Sequence, residues 1–190
     1  LKILTALSFN SFINNKNISI EGINNIDQID IINANKLGYK IKLLGVSEIY
    51  NSKVIQRVHP CLIKKNSYIA NIDGVLNAVI LNGNPIGQTV IQGEGAGPGP
   101  TTSALVSDIS SVLRGNIKFP FSISNKERKK INFDLIKNKS FSYYIRLDVL
   151  DKHGVLSNIT KIMANNKVSV KRLLQNPYIS KKYSSIIIIT

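Results

Sequence analysis

Residues Gln92 to Asp108 read QGEGAGPGPTTSALVSD, and the reading of this stretch decides the fold. Gly93, Gly95, Gly97 and Gly99 are spaced two apart and interleaved with Pro98 and Pro100. Thr89-Val90-Ile91 leads in as an apolar run, and Leu105, Ile109, Val112 and Leu113 lead out on one helical face. Thr101, Thr102 and Ser103 are residue types that cap a helix, and Pro100 fits a first turn, where its missing N–H would be unpaired anyway. The stretch therefore predicts a strand, a glycine turn and a helix N-terminus. Such a turn lets a backbone or a ligand come close, and unpaired N–H groups with a positive dipole end favour an anion. The spacing is not the dinucleotide fingerprint: Pro98 stands three after Gly95, and no strand–helix–strand unit follows. From spacing alone, a turn that packs helix on sheet and a ligand approach both stay open.

The 190 residues, 43% hydrophobic, suffice for one or two domains with a real core. No apolar run approaches the roughly 18 residues of a membrane span, so no membrane partner is expected. Leu1–Phe9 is too short and wrongly flanked for a signal peptide. One cysteine, Cys61, excludes an internal disulfide and a cysteine-based zinc site, and fits a reducing compartment such as the cytoplasm. It follows Pro60 in an apolar setting and reads as buried filler, not a nucleophile. The net charge of +14 raises nucleic acid as a partner, and RNA binding is kept as a minor alternative. Against it, lysine outnumbers arginine twenty to five, whereas base and phosphate forks favour arginine. A drift toward Lys, Ile and Asn accounts for the charge without a nucleic-acid partner.

Leu1–Phe9 already shows helical spacing at its first residue, without a cap, as though the chain lacks its own beginning. A short strand then precedes a helix over Asp27–Lys36, which Gly38 closes in the left-handed conformation. A buried strand is expected over Lys40–Val46, with Lys42 on the solvent face of an edge. Val54–Leu81 reads as strand, loop and strand. His59, held extended by Pro60 with no carboxylate or cysteine cluster about it, reads as a structural, hydrogen-bonded histidine, and no metal site is expected. Asn82-Gly83-Asn84-Pro85 predicts an antiparallel hairpin between Val75–Leu81 and Gln88–Gln92. Composition breaks over Phe119–Ser140, whose basic cluster Lys126–Lys130 reads as a solvated hinge. Beyond it Tyr143–Val149 alternates as a strand. Asp151-Lys152-His153-Gly154 turns into a helix with Leu156, Ile159, Ile162 and Met163 on one side, and Val168–Leu174 and Ser184–Thr190 follow as strands.

Several of these stretches, in order, resemble homoserine dehydrogenases. Gly93, Gly95, Ala96, Gly97, Pro100, Thr101, Ser103, Ala104 and Asp108 stand where that family has G-x-G-A-G-x-x-P-T-x-S-A-x-V-x-D. Glu21-Gly22-Ile23, Leu37-Gly38-Tyr39, Gln56-Arg57-Val58-His59-Pro60 and Asn71-Ile72-Asp73-Gly74 match further family motifs. Tyr143–Leu156 resembles the signature of an ACT domain, Y-x-I-R-L-x-V-x-D-x-x-G-V-L. The resemblance implies an α+β fold: a mixed β-sheet with helices, the substrate and dimerisation domain, followed by a truncated ferredoxin-like ACT domain. It divides the chain into 1–115, a linker over 116–140, and 141–190. It implies NADP- or NAD-dependent interconversion of L-homoserine and L-aspartate 4-semialdehyde, in a homodimer or higher homo-oligomer. The N–H groups of Gly93, Gly95 and chiefly Gly97 would meet the cofactor. The family's catalytic lysine falls one place before Leu1, so no catalytic residue is expected in the chain, which would be inactive alone; Lys2 reads as a solvated surface lysine. Asp151, Gly154, Val155 and Leu156 would hold an amino-acid effector such as threonine, the last two through their N–H groups. A strand–helix turn that needs Gly154 for positive φ and Asp151 as a cap accounts for the same residues, as does an amino-acid-sensing module without catalysis.

Overall fold

The computed structural model describes residues 1–14, 16–116, 120–135, 139–180 and 183–190. The elements run α1 (Lys2–Phe9), β1 (Ile18–Ile20), α2 (Gln28–Lys36), β2 (Tyr39–Tyr50), β3 (Lys53–Lys64), β4 (Leu76–Gly83), β5 (Gly87–Glu94), α3 (Pro98–Leu113), β6 (Phe133–Asp134), β7 (Tyr144–Leu150), α4 (Val155–Asn165), β8 (Arg172–Ser180) and β9 (Tyr183–Ile189). The fold is α+β, as expected. Its contacts gather into two units, one of Leu1–Ile20, Gly45–Val58 and Lys65–Leu135, the other of Glu21–Leu44, His59–Lys64 and the C-terminal stretch.

In the first unit, the two-residue loop Asn51–Ser52 has positive φ at both positions, the twist that a tight hairpin requires, and joins β2 to β3. β3 also pairs in parallel with β1 and β6, which makes it the centre of that sheet. Val54 and Ile55 are accordingly buried. Gly45 lies under the Leu1 side chain, so α1 crosses β2 where no side chain stands in the way. β4 and β5 pair antiparallel from Leu76↔Glu94 to Gly83↔Gly87, as the hairpin reading expects.

The basic cluster departs from the expectation of a solvated hinge at Arg128. Its guanidinium stacks between the rings of Phe12 and Phe121, 4.9 and 4.3 Å from their centroids, and donates to the Ser11 carbonyl. Lys129 pairs backbone to backbone with Ser11, and Val54 donates to the Asn132 carbonyl. Residues 117–119 and 136–138 of the expected linker lie outside the described residues.

In the second unit the sheet order is β7-β9-β8, all antiparallel. The central strand carries the run Ile186–Ile189, almost fully buried on both faces. Ile187 and Ile189 share a cluster with Leu37, against which Tyr39, Leu62, Tyr144 and Leu174 pack. Two expectations are corrected here. Strand β8 starts at Arg172, not Val168, because Val168 donates back to the Met163 carbonyl to finish α4, and pairing to β9 begins only with Lys171. Ile162 is 62% exposed: the half-buried side of α4 is Val155, Leu156, Ile159, Thr160 and Met163.

Candidate functional site

β5 delivers the chain to the glycine turn, and the Gly95 N–H donates to the Val75 carbonyl at 3.1 Å to close the hairpin. Gly97, at φ 125° and ψ 159°, is the residue before α3, in a region essentially restricted to glycine. The first helical bond runs from the Thr101 N–H to the Gly97 carbonyl. The cap is thus Gly97, four residues before Thr101, the first of the expected capping residues. Pro98 and Pro100, with φ already fixed near helical values, bring the start forward, and the cap is glycine backbone.

The four glycines separate by cause. A Cβ on Gly95 would lie 1.6 Å from Nδ2 of Asn77, so a side chain there would have to displace the exposed Asn77 side chain. Gly97 is required by its φ. At Gly93 and Gly99 a Cβ would meet nothing within 4 Å, and neither has positive φ. Nothing in this chain demands glycine at those two positions. Two prolines and the Gly95 bond also reduce the donors at the helix tip to the N–H groups of Ala96, Gly97 and Gly99. The expectation that Gly95 offers its own N–H is corrected by its bond to Val75. The turn from Gln92 to Gly99 is exposed throughout. The apolar stripe of α3 keeps its helical spacing, yet Leu105, Ile109, Val112 and Leu113 are all more than half exposed.

The second expected site lies after β7. Lys152 donates to the Leu150 carbonyl, Gly154 has φ 85°, and the Asn158 N–H takes the Gly154 carbonyl to start α4. Asp151, Lys152 and His153 line a shallow open hollow. The Asp151 side chain makes no capping bond to α4. The Val155 N–H donates to Lys152 at a long 3.4 Å, so of the two expected donors Leu156 keeps the freer one.

His59 is hydrogen-bonded as expected, its Nδ1 3.0 Å from the Pro60 carbonyl oxygen. Cys61 is half-buried, not buried, with its sulfur 3.5 Å from His59 Nδ1. Among the described residues no three His, Cys, Asp or Glu side chains gather to hold a metal, and no helix is long and apolar enough to cross a membrane.

Sequence reading missed one cluster. Asp27 and Asp30 form a capping box at the start of α2, with the Asp27 N–H donating to Asp30 Oδ2 at 3.0 Å. Arg146 on β7 donates to Asp27 Oδ2 at 2.6 Å and to Asp30 Oδ2 at 3.0 Å. The Tyr144 hydroxyl donates to Asp30 Oδ1 at 2.8 Å. The available signal was D-x-x-D at a helix start with Y-x-R on a strand, too common to single out. Burial first, then the Asp30 hydrogen bond and charge, push the Tyr144 hydroxyl above the ordinary phenol range. A raised phenol contributes stability that is whole below about pH 10 and is lost as pH climbs through the raised value. In an alkaline ultraviolet titration, one of the seven tyrosines is therefore expected to ionise late, with unfolding, and Tyr144→Phe to abolish that step. Seven tyrosines ionising together in the ordinary range would contradict it.

Together these features define an α+β chain in which a glycine turn, open to an approaching group, feeds the tip of a long helix. A sequence model of the family described as homoserine dehydrogenase matches residues 1–110, and the chain belongs to that family. It is 35% identical over 196 residues to the homoserine dehydrogenase of Neisseria gonorrhoeae, covering all of this chain and 45% of that protein. To the homoserine dehydrogenase of Helicobacter pylori it is 34% identical over 190 residues, with the same coverage. Among solved structures, a homoserine dehydrogenase from Thiobacillus denitrificans superposes with TM-score 0.84 at 31% identity, covering 100% of this chain and 44% of that one. The S. aureus homoserine dehydrogenase at pH 6.0 gives 0.65 at 30% identity, covering 98% and 45%. The chain thus spans about 45% of the relatives it matches.

Proposed function

We propose that this chain supplies the substrate-side and dimer-side portion, with an ACT-type regulatory module over 141–190, of an enzyme that interconverts L-homoserine and L-aspartate 4-semialdehyde with NADP or NAD. The observation that carries the reading is the pair Gly93 and Gly99, glycines that their own chain does not require, flanking Gly97 at the helix tip. A site crowded from outside by another molecule explains both. The N–H groups of Ala96, Gly97 and Gly99 suit polar or anionic groups of a dinucleotide, and their small side chains let it come near. The nicotinamide, when bound, supplies the hydride acceptor. The residues here hold and orient; none of them is assigned a proton transfer. The exposed apolar side chains of Val75 just before β4, Ile86 in the hairpin turn, Ile91 on β5 and Leu113 on α3 fit burial against a second copy or further chain. A single cysteine fits a reducing, cytoplasmic setting.

Homoserine oxidation, followed through the absorbance of reduced nicotinamide, tests the division of labour. The 190-residue chain is expected to show no turnover and no cofactor binding, and a full-length enzyme of the family carrying it to show both. Turnover by the isolated chain would overturn the placement of the reacting groups outside it.

The open turn at Asp151–Gly154 favours one additional reading, a site for an amino-acid effector such as threonine, with the Leu156 N–H toward its carboxylate. Threonine is then expected to raise the melting temperature of the chain. No shift with threonine or other amino acids would count against sensing.

A further inference from the structure

Asp30 is shared between two elements. It is 4% exposed and accepts three hydrogen bonds: from the Asp27 N–H that caps α2, from the Tyr144 hydroxyl, and from the Arg146 guanidinium. Arg146 reaches Asp27 as well, so one side chain of β7 grips both carboxylates at the start of the helix. Pairing of β7 and β8 with β9 puts Tyr144 opposite Ile189, Arg146 opposite Ile187, Leu174 opposite Ile187 and Asn176 opposite Ser185, all on one face of the sheet. That face meets α2 through Asn176 Nδ2, which donates to Asn33 Oδ1 at 2.8 Å, and through the Leu37 cluster. The seam is only partly satisfied, since Ser185 Oγ is buried with no hydrogen-bond partner among the described residues. A seam of this kind gains less from closing than an apolar one and parts more readily.

We propose that Asp30 couples the position of strand β7 to the integrity of the first turn of α2, with Arg146 and Tyr144 as positioning residues for that helix. Withdrawing the strand removes two of the three donors from a buried carboxylate, which then rehydrates and releases the cap. The charge of Asp30 favours the helix N-terminus only while it is held there. Because β7 leads directly into the Asp151–Gly154 turn, the same linkage carries the occupancy of that turn to α2; this second half rests on the effector reading above.

Hydrogen–deuterium exchange on the whole chain tests the coupling without any ligand. Arg146→Met and Tyr144→Phe are expected to speed exchange in the first turn of α2 by about five- to tenfold, the size of a lost N-terminal cap, while β4 and β5 stay unchanged. Ile189→Val, in the same seam but without a charge, is expected to raise exchange evenly across α2 and β9. If Arg146→Met leaves α2 as in the wild type, or gives the even pattern of Ile189→Val, the coupling is wrong. Threonine added to the wild type is expected to alter α2 protection, and Asp30→Asn to abolish that response while threonine still raises the melting temperature. Persistence of the response in Asp30→Asn overturns the coupling. Absence of any threonine binding overturns the effector reading alone, and the exchange of the variants still decides the coupling.

Discussion

Replacing Ile187 with alanine is expected to lower the unfolding free energy by about 2–5 kcal/mol, read as a shift of the urea midpoint at unchanged slope. Ile187 is fully buried in the central strand, between Arg146 of β7 and Leu174 of β8, and it touches the cluster that joins the sheet to Leu37. Its removal leaves a cavity whose walls are strand backbones fixed on both sides, so little of it can collapse. Ile162→Ala is the contrast. At 62% exposure it should change stability by no more than about 0.5 kcal/mol. A small effect at Ile187, equal to that at Ile162, would mean that β9 is not the core of this unit.

The second large effect is expected at Gly97. At φ 125° a valine is strained by about 1–3 kcal/mol wherever its side chain points, and its added carbon also approaches Pro100. Gly93→Val carries no such strain in this chain, because the space around Gly93 is open and a β-branched residue suits a strand. The pair therefore separates backbone strain from crowding of an outside group. Strain alone lowers the melting temperature of Gly97→Val and leaves Gly93→Val untouched. Crowding by a cofactor weakens its binding in both.

Local chemistry was legible where one residue type decides a conformation. Asp27 and Gly38 marked the ends of α2, and Asn82-Gly83-Asn84-Pro85 marked the hairpin, because few residues suit those backbone angles. The start of α3 comes earlier than the sequence suggests because Thr101–Ser103 are the better cap residues, whereas Pro98 and Pro100 set helical φ upstream. The start of β8 comes later than the sequence suggests because Val168-Ser169-Val170 has strand-forming residues, the first of which the end of α4 claims. The seam on Asp30 was not legible at all. It joins residues more than a hundred positions apart, and neither D-x-x-D nor Y-x-R indicates a partner until the sheet order is known.

The Michaelis constant for NADP in the full-length enzyme carrying this segment, measured for wild type, Gly97→Val and Gly93→Val at temperatures where all three are folded, tests the role of the glycine turn most directly. An increase of about tenfold or more is expected for both variants, equivalent to roughly 1.4 kcal/mol, with the constant for homoserine little changed. Cofactor affinity and rate equal to wild type in both folded variants would contradict that role, and would leave the glycine turn a structural bend only.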